Sequence, residues 1–581
     1  MSTGLFRTKS IDAILTTAVR PEASLRRSLG AFNVTLLGIG GIIGAGIFAT
    51  IGTAAAGDAA RLGAGPSLTL SFVITAVVCA FTALCYAEFA SMVPISGSAY
   101  TYSYATLGEL LAWIIGWDLI LEYAIGNVAV AVSWANYFRT FLENIGINTP
   151  AWLVTDYRSA AKVPGLLEAA PHLFGIPIVF NIYAFGIVTA LTIVLVWGIR
   201  ESARFNAVMV GIKVLVLMFF VAVALYFVSP GEMAANWKPF QPNGWTGTLA
   251  GAAVVFFAYI GFDAVSTVAE ETRNPSRDLP IGIIASLVIC TVLYVIVAAV
   301  FTGLIPYSDL VTRLATEKAE PLTMALDHAA PGAKWASTIV AFGSVVAHTA
   351  VLLVFQMGQP RIFFSMARDG LLPPTFAKVH PRFRTPHVTT IVTGLVVGVL
   401  SSFANIDEMV DLTNIGTLFA FILVCIGIPI LRFRDPHRPR PFRVPFGPLI
   451  LPIFGAVSCL GLIYYLPPAS WWRFVGWLVL GLVVYSGYGF SHSAIGRQMG
   501  RPHRTPLLLK VVSAALLALV IGLFMIPHNA TPRKLYSLVT DPTAEGHGRA
   551  KLGLILAGAG LLVAIITWLV YRARFRPISR C

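Results

Sequence analysis

The sequence predicts an all-α membrane protein of about fourteen spans, ten of them forming a five-plus-five inverted repeat in which spans 1 and 6 are discontinuous. Three observations lead there. Hydrophobic residues make up 57% of the 581 residues and charged residues 12%, whereas a soluble domain carries about 25% charge. Mean hydropathy is +0.78, and stretches of the roughly 20 apolar residues needed to cross a hydrocarbon core recur from Phe32 to Tyr571. The first of these stretches is dense in glycine and the sixth carries Gly261 and Asp263, features that a continuous membrane helix disfavours.

The spans fall at roughly 32–56, 67–93, 107–141, 176–199, 206–228, 246–270, 279–305, 335–365, 387–403, 409–431, 449–467, 471–490, 507–526 and 552–571 by the length rule for a helix crossing a bilayer. Residues 32–228 (spans 1–5) form one half-repeat and 246–431 (spans 6–10) the other. Spans 11–14, at 449–571, are peripheral, and residues 1–31 and 572–581 are short polar ends. An even number of spans places both termini on one side. With that side cytoplasmic, about 26 Lys and Arg lie inside and about 13 outside, as the positive-inside rule requires. The longer outer loops, 142–175, 306–334 and 527–551, are too short for a soluble domain.

The net charge of +14 does not indicate nucleic acid, because Lys and Arg sit in short clusters between apolar stretches, with no basic face or nucleic-acid motif. Five of the six cysteines, Cys79, Cys85, Cys290, Cys425 and Cys459, lie inside apolar runs without metal-ligand spacing, so neither a disulfide framework nor a metal or cofactor is expected. The basic first thirty residues lack the apolar core of a signal peptide.

Span 1 reads Gly38-Ile39-Gly40-Gly41-Ile42-Ile43-Gly44-Ala45-Gly46, five glycines in nine positions, each weakening a helix by up to about 1 kcal/mol relative to alanine. Span 6 reads Phe256-Phe257-Ala258-Tyr259-Ile260-Gly261-Phe262-Asp263. Gly40 and Gly44 also have the spacing of small residues in close helix packing. A dinucleotide fingerprint beginning at Gly38 fails, since Ile43 stands where its last glycine belongs. Unwinding of both helices near the bilayer midplane would expose N–H groups at one half-helix start and carbonyls at the opposing half-helix end. A zwitterion matches that pair, and paired interruptions of this kind mark the binding site of inverted-repeat transporters.

The chain resembles the amino acid–polyamine–organocation superfamily, in particular the bacterial branch of the cationic amino acid transporter family. The resemblance rests on Gly40-Gly41-Ile42-Ile43-Gly44-Ala45-Gly46-Ile47-Phe48, Cys85-Tyr86-Ala87-Glu88-Phe89, Pro94-Ile95-Ser96-Gly97-Ser98-Ala99-Tyr100-Thr101-Tyr102, Trp117-Asp118-Leu119-Ile120-Leu121-Glu122-Tyr123, Glu201-Ser202-Ala203-Arg204-Phe205-Asn206, Glu270-Glu271-Thr272-Arg273-Asn274-Pro275 and Arg368-Asp369-Gly370-Leu371-Leu372-Pro373. It implies that Ala45 and Gly46 bind a substrate carboxylate and that the carbonyls of Ile42, Phe257, Ala258 and Ile260 bind its ammonium, with Ile43, Gly44 and Tyr259 in the same segments. Where some relatives carry Ser or Thr, this chain has Ala45, leaving backbone groups alone for the carboxylate. A bulky residue at Gly46 is expected to block the carboxylate without unfolding the protein.

Two ionisable residues stand out within the spans. The resemblance implies that Lys213, two turns into span 5, occupies the place where sodium-coupled relatives hold their ion between spans 1, 5 and 8. Burial disfavours a charged amine, so Lys213 is a candidate for proton coupling. Glu122, mid-span and on one helix face with Asp118, is the second, either as a proton carrier, as a partner for a basic substrate, or as a structural hydrogen-bonding group. Glu88 lies near a membrane edge, Asp263 is placed to cap a restarting helix, Tyr100 and Tyr102 are expected to anchor a cytoplasmic loop, and His348 has no evident partner.

The expected protein is a secondary active amino acid transporter of the inner or plasma membrane, proton-coupled and sodium-independent, with an exchanger or a polyamine or other organic cation transporter as alternatives. It is not expected to be an enzyme. Its partners are the amino acid, protons and membrane lipid, with no nucleic acid and no obligate protein partner. A channel would need a continuous polar ring, and isolated charges do not supply one.

Overall fold

The computed structural model describes residues 6–12, 14, 27, 29–95, 97–161, 163–197, 203–316, 320–383, 385–498, 506–526 and 547–574. Ser96, Glu201-Ser202, the basic residues Arg26, Arg384 and Arg576, and residues 527–546 of the last outer loop lie outside them. Among the described residues eleven helices are long and apolar enough to cross a membrane. The expected spans 4, 9 and 11 are shorter apolar helices, Ile182–Trp197, His387–Phe403 and Ile450–Tyr464, of 16, 17 and 15 residues. At about 1.5 Å per residue they measure roughly 22–26 Å, shorter than a ~30 Å core. Sheet among the described residues is limited to two hairpins of two-residue strands, Gly57–Asp58 with Arg61–Leu62 and His172–Leu173 with Ile176–Pro177.

Both predicted breaks are present. Span 1 runs as an α-helix over Ala31–Ile42, opens at Ile43 (φ −75°, ψ 103°), and resumes as a π-turn, Gly46–Thr50, and a helix, Ile51–Ala56. Span 6 is helical over Gly244–Val255, tightens to 3₁₀ geometry at Phe256–Tyr259, turns extended at Ile260, and resumes at Asp263–Glu271. The turn depends on Gly261, whose φ of +124° is accessible to glycine at little cost. Span 10, Ile406–Arg434, is capped by the Asn405 side chain, which accepts from Asp407 N. It also carries acidic residues in its first turn and Arg432 and Arg434 in its last, each matching the sign of the helix dipole.

Burial sorts the spans. The most apolar window of span 6 is 94% buried and that of span 3, Glu109–Asn144, 89%, against 22% for the last span. Spans 1, 3, 6 and 10 therefore form the interior. On outer spans the exposed residues are themselves apolar, among them Leu215, Val292, Leu395 and Phe524, as a lipid-facing surface requires. Span 12, Pro468–Val484 continued by a π-turn at Tyr485–Gly489, docks on span 3 through Trp117 and Trp477, stacked at 4.6 Å. The Trp113 Nε1–H there donates to Gly481 O at 3.0 Å. Spans 13 and 14 pair closely where Gly522, Gly553 and Gly560 face backbone of the other helix, the small-residue contact by which membrane helices associate without a hydrophobic driving force.

Among the short helices between spans are α1, Ser98–Thr106, on the side proposed to be cytoplasmic, and α2, Tyr307–Thr316, and α3, Pro321–Ala329, on the opposite side.

Candidate functional site

The two breaks lie against each other. A Cβ on Gly261 would fall 2.6 Å from Gly41 C, and one on Gly46 2.2 Å from Ala258 Cα. Ile42, Ile43, Gly44, Ala45 and Gly46 are thereby brought beside Phe257, Ala258, Tyr259 and Ile260, all of them buried. The first N–H groups of the second piece of span 1, at Ala45, Gly46 and Ile47, lack intrahelical partners by position and carry the positive end of its dipole. The last carbonyls of the first piece of span 6 supply the complementary sign.

Neighbouring side chains hold this backbone open. Asp263 Oδ1 accepts from Gly261 N at 3.1 Å, a bond back into the break and not the expected cap, since the helix that restarts at Asp263 has no side-chain cap hydrogen bond. Asn414 of span 10 donates to the carbonyls of Ala253 (2.9 Å) and Val254 (3.3 Å). The Tyr294 hydroxyl of span 7 donates to Ile42 O at 2.8 Å, so this expected ammonium ligand already carries one bond and keeps one lone pair. Tyr259 turns away from the break, its hydroxyl donating to Phe72 O of span 2 at 3.0 Å. Gly46 is a packing position as well as an approach to a ligand: Ala258 backbone stands where its side chain would be. The expectation that a bulky residue there leaves the fold intact is corrected accordingly.

Lys213 is fully buried in span 5 and donates from Nζ to Gly40 O at 2.6 Å, in the last turn before the span 1 break. It lies within electrostatic reach of Cys290 in span 7 and His348 in span 8. His348 has partners the sequence did not reveal: Nε2 meets Ser133 Oγ of span 3 at 2.8 Å and Nδ1 meets Ser344 O at 2.6 Å. It packs on Phe48 and Tyr137, and the Tyr137 hydroxyl donates to Phe48 O at 2.7 Å. His348 thus joins the outer half of span 1 to span 3, within electrostatic reach of the lysine.

Glu122 is buried beside Thr417 of span 10, within electrostatic reach of Asp118 and of Asp263 at the span 6 break. Neither carboxylate oxygen of Asp118 has a hydrogen-bond partner among the described residues. Glu88 is instead a structural anchor. Arg432 of span 10 grips both its oxygens, Nε at 2.9 Å, and Val444 N donates to Oε2 at 2.7 Å. The Tyr100 hydroxyl and Lys9 both bond Asp369, anchoring α1, whereas the Tyr102 hydroxyl has no hydrogen-bond partner among the described residues and its ring stacks on Phe89. On the other side Arg61, just after span 1, pairs with both oxygens of Asp411 in span 10 at 2.7 and 2.8 Å. Thr53 there donates to Asp407 at 2.8 Å. Arg61 and Asp411 stand 350 positions apart, and nothing in the local sequence links them.

Residues 29–484 match the model of a family described as amino acid permease. The chain is 46% identical to a branched-chain amino acid permease of Bacillus subtilis, over 86% of its own length and 100% of that protein. It is 42% identical to a methylthioribose transporter of the same organism, over 85% and 99%. A vacuolar cationic amino acid transporter of Arabidopsis thaliana is 36% identical over 74% and 68%. The chain therefore belongs to the amino acid permease family of the amino acid–polyamine–organocation superfamily, and is a multi-pass membrane protein of transporter type.

Proposed function

We propose that the protein is a proton-coupled, sodium-independent importer of amino acids in the plasma membrane, with both termini cytoplasmic. In this reading it has fourteen spans, and spans 1–5 and 6–10 are inverted repeats. The carrying observation is the buried Lys213 ammonium on Gly40 O, beside two apposed helix breaks whose backbone suits a zwitterion. The N–H groups at Ala45 and Gly46 take the carboxylate, and the carbonyls of Ile42, Phe257, Ala258 and Ile260 take the ammonium. Lys213 supplies, while protonated, a positive charge that fastens spans 1 and 5. Deprotonation removes that charge and frees Gly40 O, which couples proton release to rearrangement of span 1. Apolar neighbours, Ile43, Phe257 and Ile260, favour a neutral aliphatic substrate. The branched-chain specificity named for one relative supports the same choice.

The test is uptake of radiolabelled leucine in liposomes, with and without sodium and with an imposed pH gradient. Wild-type protein should accumulate leucine when the outside is acidified, without sodium. Lys213→Ala should keep binding and lose uphill accumulation. Sodium-stimulated uptake, or undiminished proton-driven accumulation by Lys213→Ala, would overturn the mechanism. A second reading rests on the methylthioribose transporter: its named substrate has neither carboxylate nor ammonium, so methylthioribose belongs in the substrate panel. Counterflow without net accumulation would assign exchange instead.

A further inference from the structure

Below the span 6 break, toward the side proposed to be cytoplasmic, lies a small cavity of about 20 Å³, enough for one water-sized group. Thr267 of span 6, Gly358, Arg361 and Ser365 of span 8, and Ser98 at the start of α1 line it. Thr267 stands six residues beyond Gly261, about 12 Å at the 3₁₀ rise of ~2.0 Å, on the way out of the site.

Two polar groups of the cavity wall, Arg361 and Ser98, stand without an ion-pair or hydrogen-bond partner among the described residues. Arg361 forms no ion pair among the described residues, although a guanidinium presents five N–H groups and no acceptor. Ser98 is 1% exposed and its hydroxyl has no hydrogen-bond partner. It begins a nine-residue helix whose N-terminus has no side-chain cap, so the positive end of that helix is open. The Tyr123 hydroxyl, also buried and unpartnered, is within electrostatic reach of Arg361, its ring against Gly358. Tyr100, also on the cavity wall, donates to Asp369, which Lys9 engages as well, and the acids within electrostatic reach of Tyr123 are Asp263 and Glu122. Unpaired buried donors around a cation call for an anionic acceptor.

We propose that Arg361, with Ser98 and the start of α1, forms a second carboxylate site, where the transported amino acid pauses by its carboxylate between the central site and the cytoplasm. This rests on the amino acid transport reading above. Arg361 is a positioning residue for substrate on that leg and has no part in the central site.

The test compares leucine uptake in right-side-out and inside-out membrane vesicles, which expose the outer and cytoplasmic mouths respectively. Arg361→Gln should leave half-saturation at the outer mouth near wild type and raise it at the cytoplasmic mouth roughly ten- to hundred-fold, the range for losing a hydrogen bond to a charged group. Arg361→Lys should recover most of that loss. In wild-type vesicles N-acetylleucine, which keeps the carboxylate and lacks the ammonium, should compete from the cytoplasmic mouth only, and leucinamide should not do so preferentially. Equal effects of Arg361→Gln at both mouths, or none at either, would overturn the proposal. So would N-acetylleucine competing equally from both sides, which is read on wild-type protein even where the variant fails to fold. Half-saturation that tracks chloride at the cytoplasmic mouth, with N-acetylleucine inert, would assign the site to an inorganic anion and reject the substrate role. Wild-type vesicles that move no amino acid at all would refute the transport reading itself, a separate result.

Discussion

Replacing Gly46 by alanine probes the contact on which the proposed site depends. The new Cβ would lie 2.2 Å from Ala258 Cα, 2.6 Å from its Cβ and 2.7 Å from its N. Ordinary van der Waals contact begins at 3.4 Å, so 3.4 − 2.2 = 1.2 Å of separation must be found between two backbones. No flexible side chain can absorb it. Overpacking of this kind costs about 1–3 kcal/mol, toward the upper end here, offset by at most about 1 kcal/mol of improved helix propensity. The net, about 2 kcal/mol, falls on the relative position of spans 1 and 6, where every tenfold loss of binding corresponds to about 1.4 kcal/mol. Gly46→Ala should therefore lower the thermal unfolding midpoint in detergent and weaken leucine binding by tenfold or more. Two variants calibrate it. A Cβ on Gly44 meets Val351 Cγ2 at 2.8 Å, a side-chain methyl that can rotate, and Gly558 has nothing within 4 Å. The expected order of damage is Gly46, then Gly44, then Gly558, measured by scanning fluorimetry and scintillation proximity binding. A Gly46→Ala protein that melts and binds like Gly558→Ala would refute the close apposition of the breaks.

Further perturbations test the surrounding groups. Arg61→Ala strands the Asp411 carboxylate, buried in a pair whose side chains are 6% and 7% exposed, and should cost about 3–5 kcal/mol. The double variant with Asp411→Asn should recover part of this in the same melting assay. Glu122→Gln should flatten the pH dependence of uptake or shift selectivity away from basic amino acids; a profile and substrate ranking identical to wild type would make Glu122 structural. Glu320, buried at the start of α3, has its carboxyl pushed by burial up to about 8 from an ordinary 4.5. The folded state thus holds a proton that the unfolded chain releases. The resulting stabilisation is complete below about pH 4.5 and declines as pH rises through about 8. Glu320→Gln should remove this slope, so that its melting midpoint exceeds that of wild type increasingly from pH 6 to pH 9; parallel curves would refute the burial argument.

The sequence alone determined what depends on local pattern. Hydropathy over windows of about 20 residues counts helices because the bilayer core has a fixed thickness. Glycine density in span 1 and Gly261-Phe262-Asp263 in span 6 marked both breaks, because a helix loses stability wherever glycine accumulates. Lys213 stood out because an amine deep in an apolar run is costly wherever it points. Its acceptor on Gly40 O could not be read there, nor could the bond from Tyr294 to Ile42 O, the one between Ser133 and His348, or that from Arg61 to Asp411. Each joins residues more than a hundred positions apart, and their approach is set by how whole helices pack, which local propensity does not encode. The same limit explains Gly46. Its sequence context suggests room for a ligand, and only the packed structure places the backbone of Ala258 in that room.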